Sequence, residues 1–161
     1  MSLPDWLPAL VRLEDYGGDW RIYEAALYEA FCADFANSQP SIAGQRVAWR
    51  RHPMVNGREN TFWHLISRGH EEAGRVRDER RCERIRWPRF LIDLYPDPRL
   101  RSWRYRRGRG WNLVIALEDF SYAVVLGIRR DYMLLITAYF VGDERGRRRL
   151  RRQYQNAQTH P

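Results

Sequence analysis

Apolar residues recur along this chain with two different periods. Near the start, Ile22, Ala25, Ala26, Leu27, Ala30 and Phe31 fall at helical spacing behind Asp19, a residue type suited to an N-cap. The pattern predicts a helix ending near "ANSQP". Residues 38–60 contain Pro40, Gly44, Pro53 and Asn56-Gly57 and read as loop. The aromatic run "TFWHLIS" that follows reads as a short strand. On it Phe62, His64 and Ile66 would share one face, with Trp63, Leu65 and Ser67 on the other.

Residues 68–86 are polar and rich in arginine. After them comes an apolar stretch, "RWPRFLIDLYPDP", fenced by Pro88, Pro96 and Pro98, and then "RLRSWRYRRGRG", which reads as a basic loop. Three β-rich runs follow, roughly 111–118, 121–128 and 132–141. Their connections are short enough for hairpins, so they predict an antiparallel meander. "ERGRRRLRRQYQ", 144–155, reads as a basic terminal helix. Helices first, a mostly antiparallel sheet next and a closing helix make an α+β layout. Helices gathered on one face of the sheet would leave the other free for a ligand.

The length of 161 residues and the absence of repeats or low-complexity linkers point to a single domain over 1–161. Within it, residues 1–40 form an acidic helical part and 41–161 a basic α+β part. No run of about eighteen apolar residues occurs, and the N-terminus lacks the basic start and apolar stretch of a signal peptide. A cytoplasmic protein with no membrane partner is expected.

Charge sharpens this picture. The net charge is +8, yet residues 1–40 carry seven acids against two arginines, and the remaining 121 residues carry 26 basic and 13 acidic side chains. Such asymmetry points to a polyanionic partner for the basic part. All 28 basic residues are arginine, which excludes a lysine nucleophile or Schiff base. Guanidinium suits bidentate phosphate contacts and base stacking, although GC-rich coding would give the same bias. Cys32 and Cys82 are isolated and read as reduced, largely buried thiols; neither a metal nor a cofactor is expected.

Three groups of residues carry candidate chemistry. His64 is the one histidine on an expected regular element, since His52 and His70 lie in polar loop sequence and His160 in the tail. It is either a core histidine with satisfied nitrogens or a proton shuttle. Arg75, Arg77, Arg80, Arg81 and Arg84 form the second group. If helical, Arg77, Arg80, Arg81 and Arg84 make one stripe, either a solvated face paired with Asp78, Glu79 and Glu83 or a phosphate-binding face. In "LLITAYF", Thr137 and Tyr139 would point to one side about 7 Å apart, with Ile136, Ala138 and Phe140 on the other. They are two hydroxyls for a phosphate, or an ordinary solvent face. Together the groups fit metal-free RNA cleavage, where the 2′-hydroxyl is itself the nucleophile. The scattered acids do not suggest the clustered carboxylates of a metal-dependent nuclease.

The order "FWHLISRG", "RVRDERRCERIRW", "WNLVIALEDFSYAVVL", "YMLLITAYFV" and "RRRLRRQY" resembles the phage- and mobile-element-encoded branch of the barnase, EndoU, colicin and RelE-like nuclease superfamily. The resemblance covers about 46–155, with "FWHLIS", "RCERIRW" and "TAY" its most specific pieces. It implies N-terminal helices packed on a mostly antiparallel sheet of about four strands, with the active site on the open sheet face. It also implies a toxin-like, metal-independent endoribonuclease that cuts RNA, transfer RNA among the candidates, and leaves a cyclic phosphate. The matching residues are His64 for acid–base work, Arg81 and Arg84 for the phosphorane, and Thr137 and Tyr139 for positioning. Arg68, Arg77, Arg80, Trp103, Arg104, Arg106 and Arg107 are expected to hold the nucleic acid. An acidic immunity or antitoxin protein is a compatible partner. The alternative is a non-catalytic RNA- or DNA-binding protein, or a phage accessory interaction protein, using the same basic face with Trp103, Tyr105 and Trp111 stacking on bases. The acidic first forty residues either fold over that face or pack on the back of the sheet.

Overall fold

The computed structural model describes residues 3–69 and 71–159, so His70 and His160 lie outside the described residues. Helix α1, Trp20–Phe31, starts where expected. The Asp19 carboxylate accepts from the Arg21 and Ile22 backbone N–H groups, and the helix runs into one wide turn at Cys32–Ala36. Two short strands follow, β1 (Ser41–Ile42) and β2 (Gln45–Ala48).

The first correction comes at α2, Asn60–Ile66, because "TFWHLIS" is helical and not a strand. Phe62, Leu65 and Ile66 are buried at helical spacing, and over so few residues that pattern cannot be told from alternation. Burial decides it: Phe62 meets Tyr28 and Phe31 of α1 edge-on, with ring centroids 5.1 and 5.7 Å apart. A two-stranded ribbon, β3 (Ser67–Arg68) and β4 (Val76–Arg77), leads to α3 (Glu79–Glu83) and α4 (Trp87–Leu94). Arg77 therefore lies on β4 and Arg84 just past α3, so the expected single helical stripe of arginines does not form.

The main sheet takes its remaining strands from β5 (Leu100–Arg107), β6 (Gly110–Leu117), β7 (Tyr122–Ile128) and β8 (Met133–Phe140). The last three are the expected meander. The segment read as a basic loop is strand β5, paired with β6 along its whole length. As the outermost strand it turns arginines to solvent, and that polarity hid it. The order β1-β2-β8-β7-β6-β5 makes a six-stranded mixed sheet where about four antiparallel strands were expected; β2 and β8 are parallel.

Alternate sheet residues serve two cores. Ile115, Val124, Leu126 and Leu135 join α1, α2 and α4 in the larger one, which also takes Leu7, Tyr23 and Phe35 from the acidic part. Trp103, Val114, Phe120 and Val125 form the smaller one beneath α5, Glu144–Thr159. The second face is thus half covered by α5 and half open. Among the described residues no helix is long and apolar enough to cross a membrane.

Candidate active site and nucleic-acid groove

The open half of the second sheet face is a groove of about 690 Å³. Its floor holds Tyr105, Asn112, Val125, Thr137 and Tyr139, and Arg50, Arg107 and Arg129 stand along it. A bulge shapes it: Val125 pairs with Thr137 but Leu126 with Leu135, leaving Ile136 as the extra residue. Ile136 consequently lines the groove beside Thr137 and Tyr139, where simple alternation predicted the opposite face. Asn112 is buried directly across from Tyr105 and donates to its hydroxyl at 2.9 Å. The groove-lining residues include no carboxylate. Trp111 is 40% exposed, with the Arg104 and Arg106 guanidiniums 5.5 and 5.9 Å from its ring centre.

Arg81 joins this groove to α2. One amino group, Nη1, donates to the His64 carbonyl at 3.0 Å and the Ser67 carbonyl at 2.6 Å, and it lies 3.5 Å from the Thr137 hydroxyl. The guanidinium carbon is 5.8 Å from the Tyr139 ring centre. The first two contacts satisfy carbonyls that the end of a helix leaves without partners. Arg75 does the same alongside, donating to the Ser67 and Gly69 carbonyls. Burial lowers the pKa of both arginines and raises that of the Tyr139 hydroxyl, against which the charges of Arg149 and Arg81 act.

The His64 imidazole is held on the other side of this junction. Its Nε2 lies 2.8 Å from Glu72 Oε1, and the second oxygen of Glu72 accepts from the Asn60 side chain at 3.1 Å. One carboxylate therefore clasps the first and last turns of α2 and fixes the ring, leaving Nδ1 with no protein partner among the described residues. The bond from His64 holds the Glu72 carboxyl below its ordinary 4.5. The stability this contributes is present above about pH 4.5 and is lost as pH falls through the lowered value. Glu72 had no sequence signal, standing eight residues away in a polar loop. Asn112 did have one, as a lone amide in an apolar strand.

The remaining candidates separate. Arg84 is 5% exposed, with its guanidinium 4.2 Å from the Phe140 ring centre and 4.9 Å from that of Trp87, so it faces the larger core and not the groove. Arg77 lies over Trp20 at 3.5 Å, and Arg80 is exposed beside Glu83. Arg68 is exposed, with Asp78 4.0 Å away, and Arg104, Arg106 and Arg107 are exposed along β5. Trp103 is a correction: it is 3% exposed, packed on Phe120 and Tyr154 and bonded to Gln153, and so closed to a stacking base. Burial pushes the Cys82 thiol up to about 12, which removes it as a nucleophile. No family model, no curated protein and no solved structure matches this chain.

Proposed function

We propose that the chain is a metal-independent endoribonuclease whose single-stranded RNA substrate lies in the arginine-flanked groove and passes the edge of β8 at Arg81. The observation that carries this reading is the Arg81 junction. One guanidinium bonds the main-chain carbonyl of His64, lies 3.5 Å from the Thr137 hydroxyl and stands beside the Tyr139 ring, so three side chains selected for phosphate chemistry meet next to the backbone of the fourth, whose ring is held by Glu72. In the reaction the 2′-hydroxyl attacks its own phosphorus. His64, oriented by Glu72, takes and returns the proton through its free nitrogen. Arg81 balances the charge of the phosphorane, and Thr137 and Tyr139 orient it. The 5′-oxygen leaves with a proton and the 2′,3′-cyclic phosphate remains. The resemblance to the nuclease superfamily supports the same reading, with a toxin-like role in the cytoplasm, transfer RNA as a substrate and an acidic antitoxin able to cover the groove.

A second reading, RNA binding without cleavage, is favoured by the groove's own lining. That lining is arginine, aromatic and amide, and it lacks the His64 ring. The two readings part when purified protein is incubated with total transfer RNA and a chelator. Cleavage that His64→Ala lowers by about 10²- to 10⁴-fold supports the ribonuclease. Salt-sensitive binding by both proteins, with cleavage by neither, supports the binding module.

A further inference from the structure

Helix α5 divides its arginines into two sets. Arg147 donates to the Val141 carbonyl at 2.9 Å and Arg151 lies 5.3 Å from the Phe120 ring centre, both holding the helix to the sheet. Arg145, Arg148, Arg149 and Arg152 instead stand at i, i+3, i+4 and i+7 around one surface cavity of about 390 Å³. Among the described residues, none of these four has a carboxylate within 4.0 Å. Like charges at this spacing work against a helix unless something negative lies along them. The stripe spans about 10 Å at 1.5 Å per residue, close to the rise of three stacked nucleotides at about 3.4 Å each.

The stripe and the groove adjoin at Tyr139. Tyr139 lines the groove's floor and also packs in the smaller core beneath α5, and the charge of Arg149 acts on its hydroxyl. Nothing on α5 suits a protein partner equally well, because among the described residues the exposed large apolar ones are Leu3, Ile22, Met54, Val55, Val76 and Trp111, all elsewhere. Protein interfaces centre on buried apolar or aromatic anchors, whereas a sugar-phosphate backbone needs only spaced guanidiniums.

We infer that Arg145, Arg148, Arg149 and Arg152 form a second phosphate track that grips single-stranded RNA where it leaves the groove past Tyr139. This deepens the proposed function and rests on RNA being the groove's ligand. The track sets affinity and takes no part in the chemical step.

The test uses the full chain with all four arginines changed to glutamine, its folding checked by circular dichroism. The probe is a labelled 2′-O-methyl RNA 20-mer, which cannot undergo 2′-hydroxyl attack, bound across a salt series. Each lost single-strand contact removes about 0.7 from the slope of log affinity against log salt. A fall of about 2 to 3 is expected, with affinity reduced on the order of 10²-fold near ~0.1 M salt. An unchanged slope overturns the inference, whether or not the stripe is then found to hold an acidic protein. A reduced slope with no cleavage by either protein keeps the track and removes the ribonuclease. Cleavage with an unchanged slope does the reverse.

Discussion

Two arginines three residues apart show how differently one side-chain type can be used. Arg81 ends on carbonyls and a hydroxyl of other elements, whereas Arg84 lies against two aromatic rings, bonds only the Arg80 carbonyl one turn back at 3.0 Å, and leaves its Nε buried and unbonded. A buried guanidinium with an unmet donor is costly, and a well-packed apolar replacement is often neutral or stabilising. Arg84→Met should therefore leave RNA cleavage intact and change stability by no more than about 1 kcal/mol, or raise it, as read by urea unfolding. Arg81→Met takes the side-chain donor from the His64 carbonyl and one of two arginine donors from that of Ser67, which keeps Arg75, and should cost about 1–3 kcal/mol as well as the proposed activity. Sequence alone gave both arginines the same standing, because burial of a cation leaves no local mark. The common face of Thr137 and Tyr139 was legible from strand alternation, though the bulge that adds Ile136 to that face was not.

At the scale of elements, legibility followed segment length. The meander β6–β8 and the capped helix α1 each repeat their period several times, and each was read within a few residues of its ends. Helix α2 repeats its period less than twice and was misread, and β5 was lost because an edge strand need not be apolar. A subtler element-level feature is Gly146 in the first turn of α5. A Cβ there would come within 2.7 Å of Val141 Cγ1 and 2.7 Å of an Asp143 oxygen. Alanine in a helix ordinarily gains about 1 kcal/mol over glycine. Here the contact with a branched side chain reverses the sign, and Gly146→Ala should destabilise by about 1–3 kcal/mol in thermal unfolding.

For the whole molecule, the acidic first forty residues are part of the fold's interior. Tyr23, Leu27, Phe31 and Phe35 are at most 1% exposed and share the larger core with the sheet, and Arg58 is ion-paired to Glu24 at 2.5 Å. This is the back-of-sheet arrangement, with α1 on the face opposite the groove. A chain lacking residues 1–40 should lose its near-ultraviolet circular dichroism and cooperative unfolding; a folded, RNA-binding truncation would contradict this. Part of the excess positive charge stands along the edge strand β5, with Arg104 and Arg106 on the face that carries the larger core and Arg107 on the groove face. A second copy adding its own β5 to that edge would bring guanidinium against guanidinium, so the edge guards against strand-to-strand aggregation. RNA bound as proposed would neutralise that same guard. The proposed complex, near charge balance, would then be the state in which these molecules approach one another most freely, and the free protein the state in which they stay dispersed.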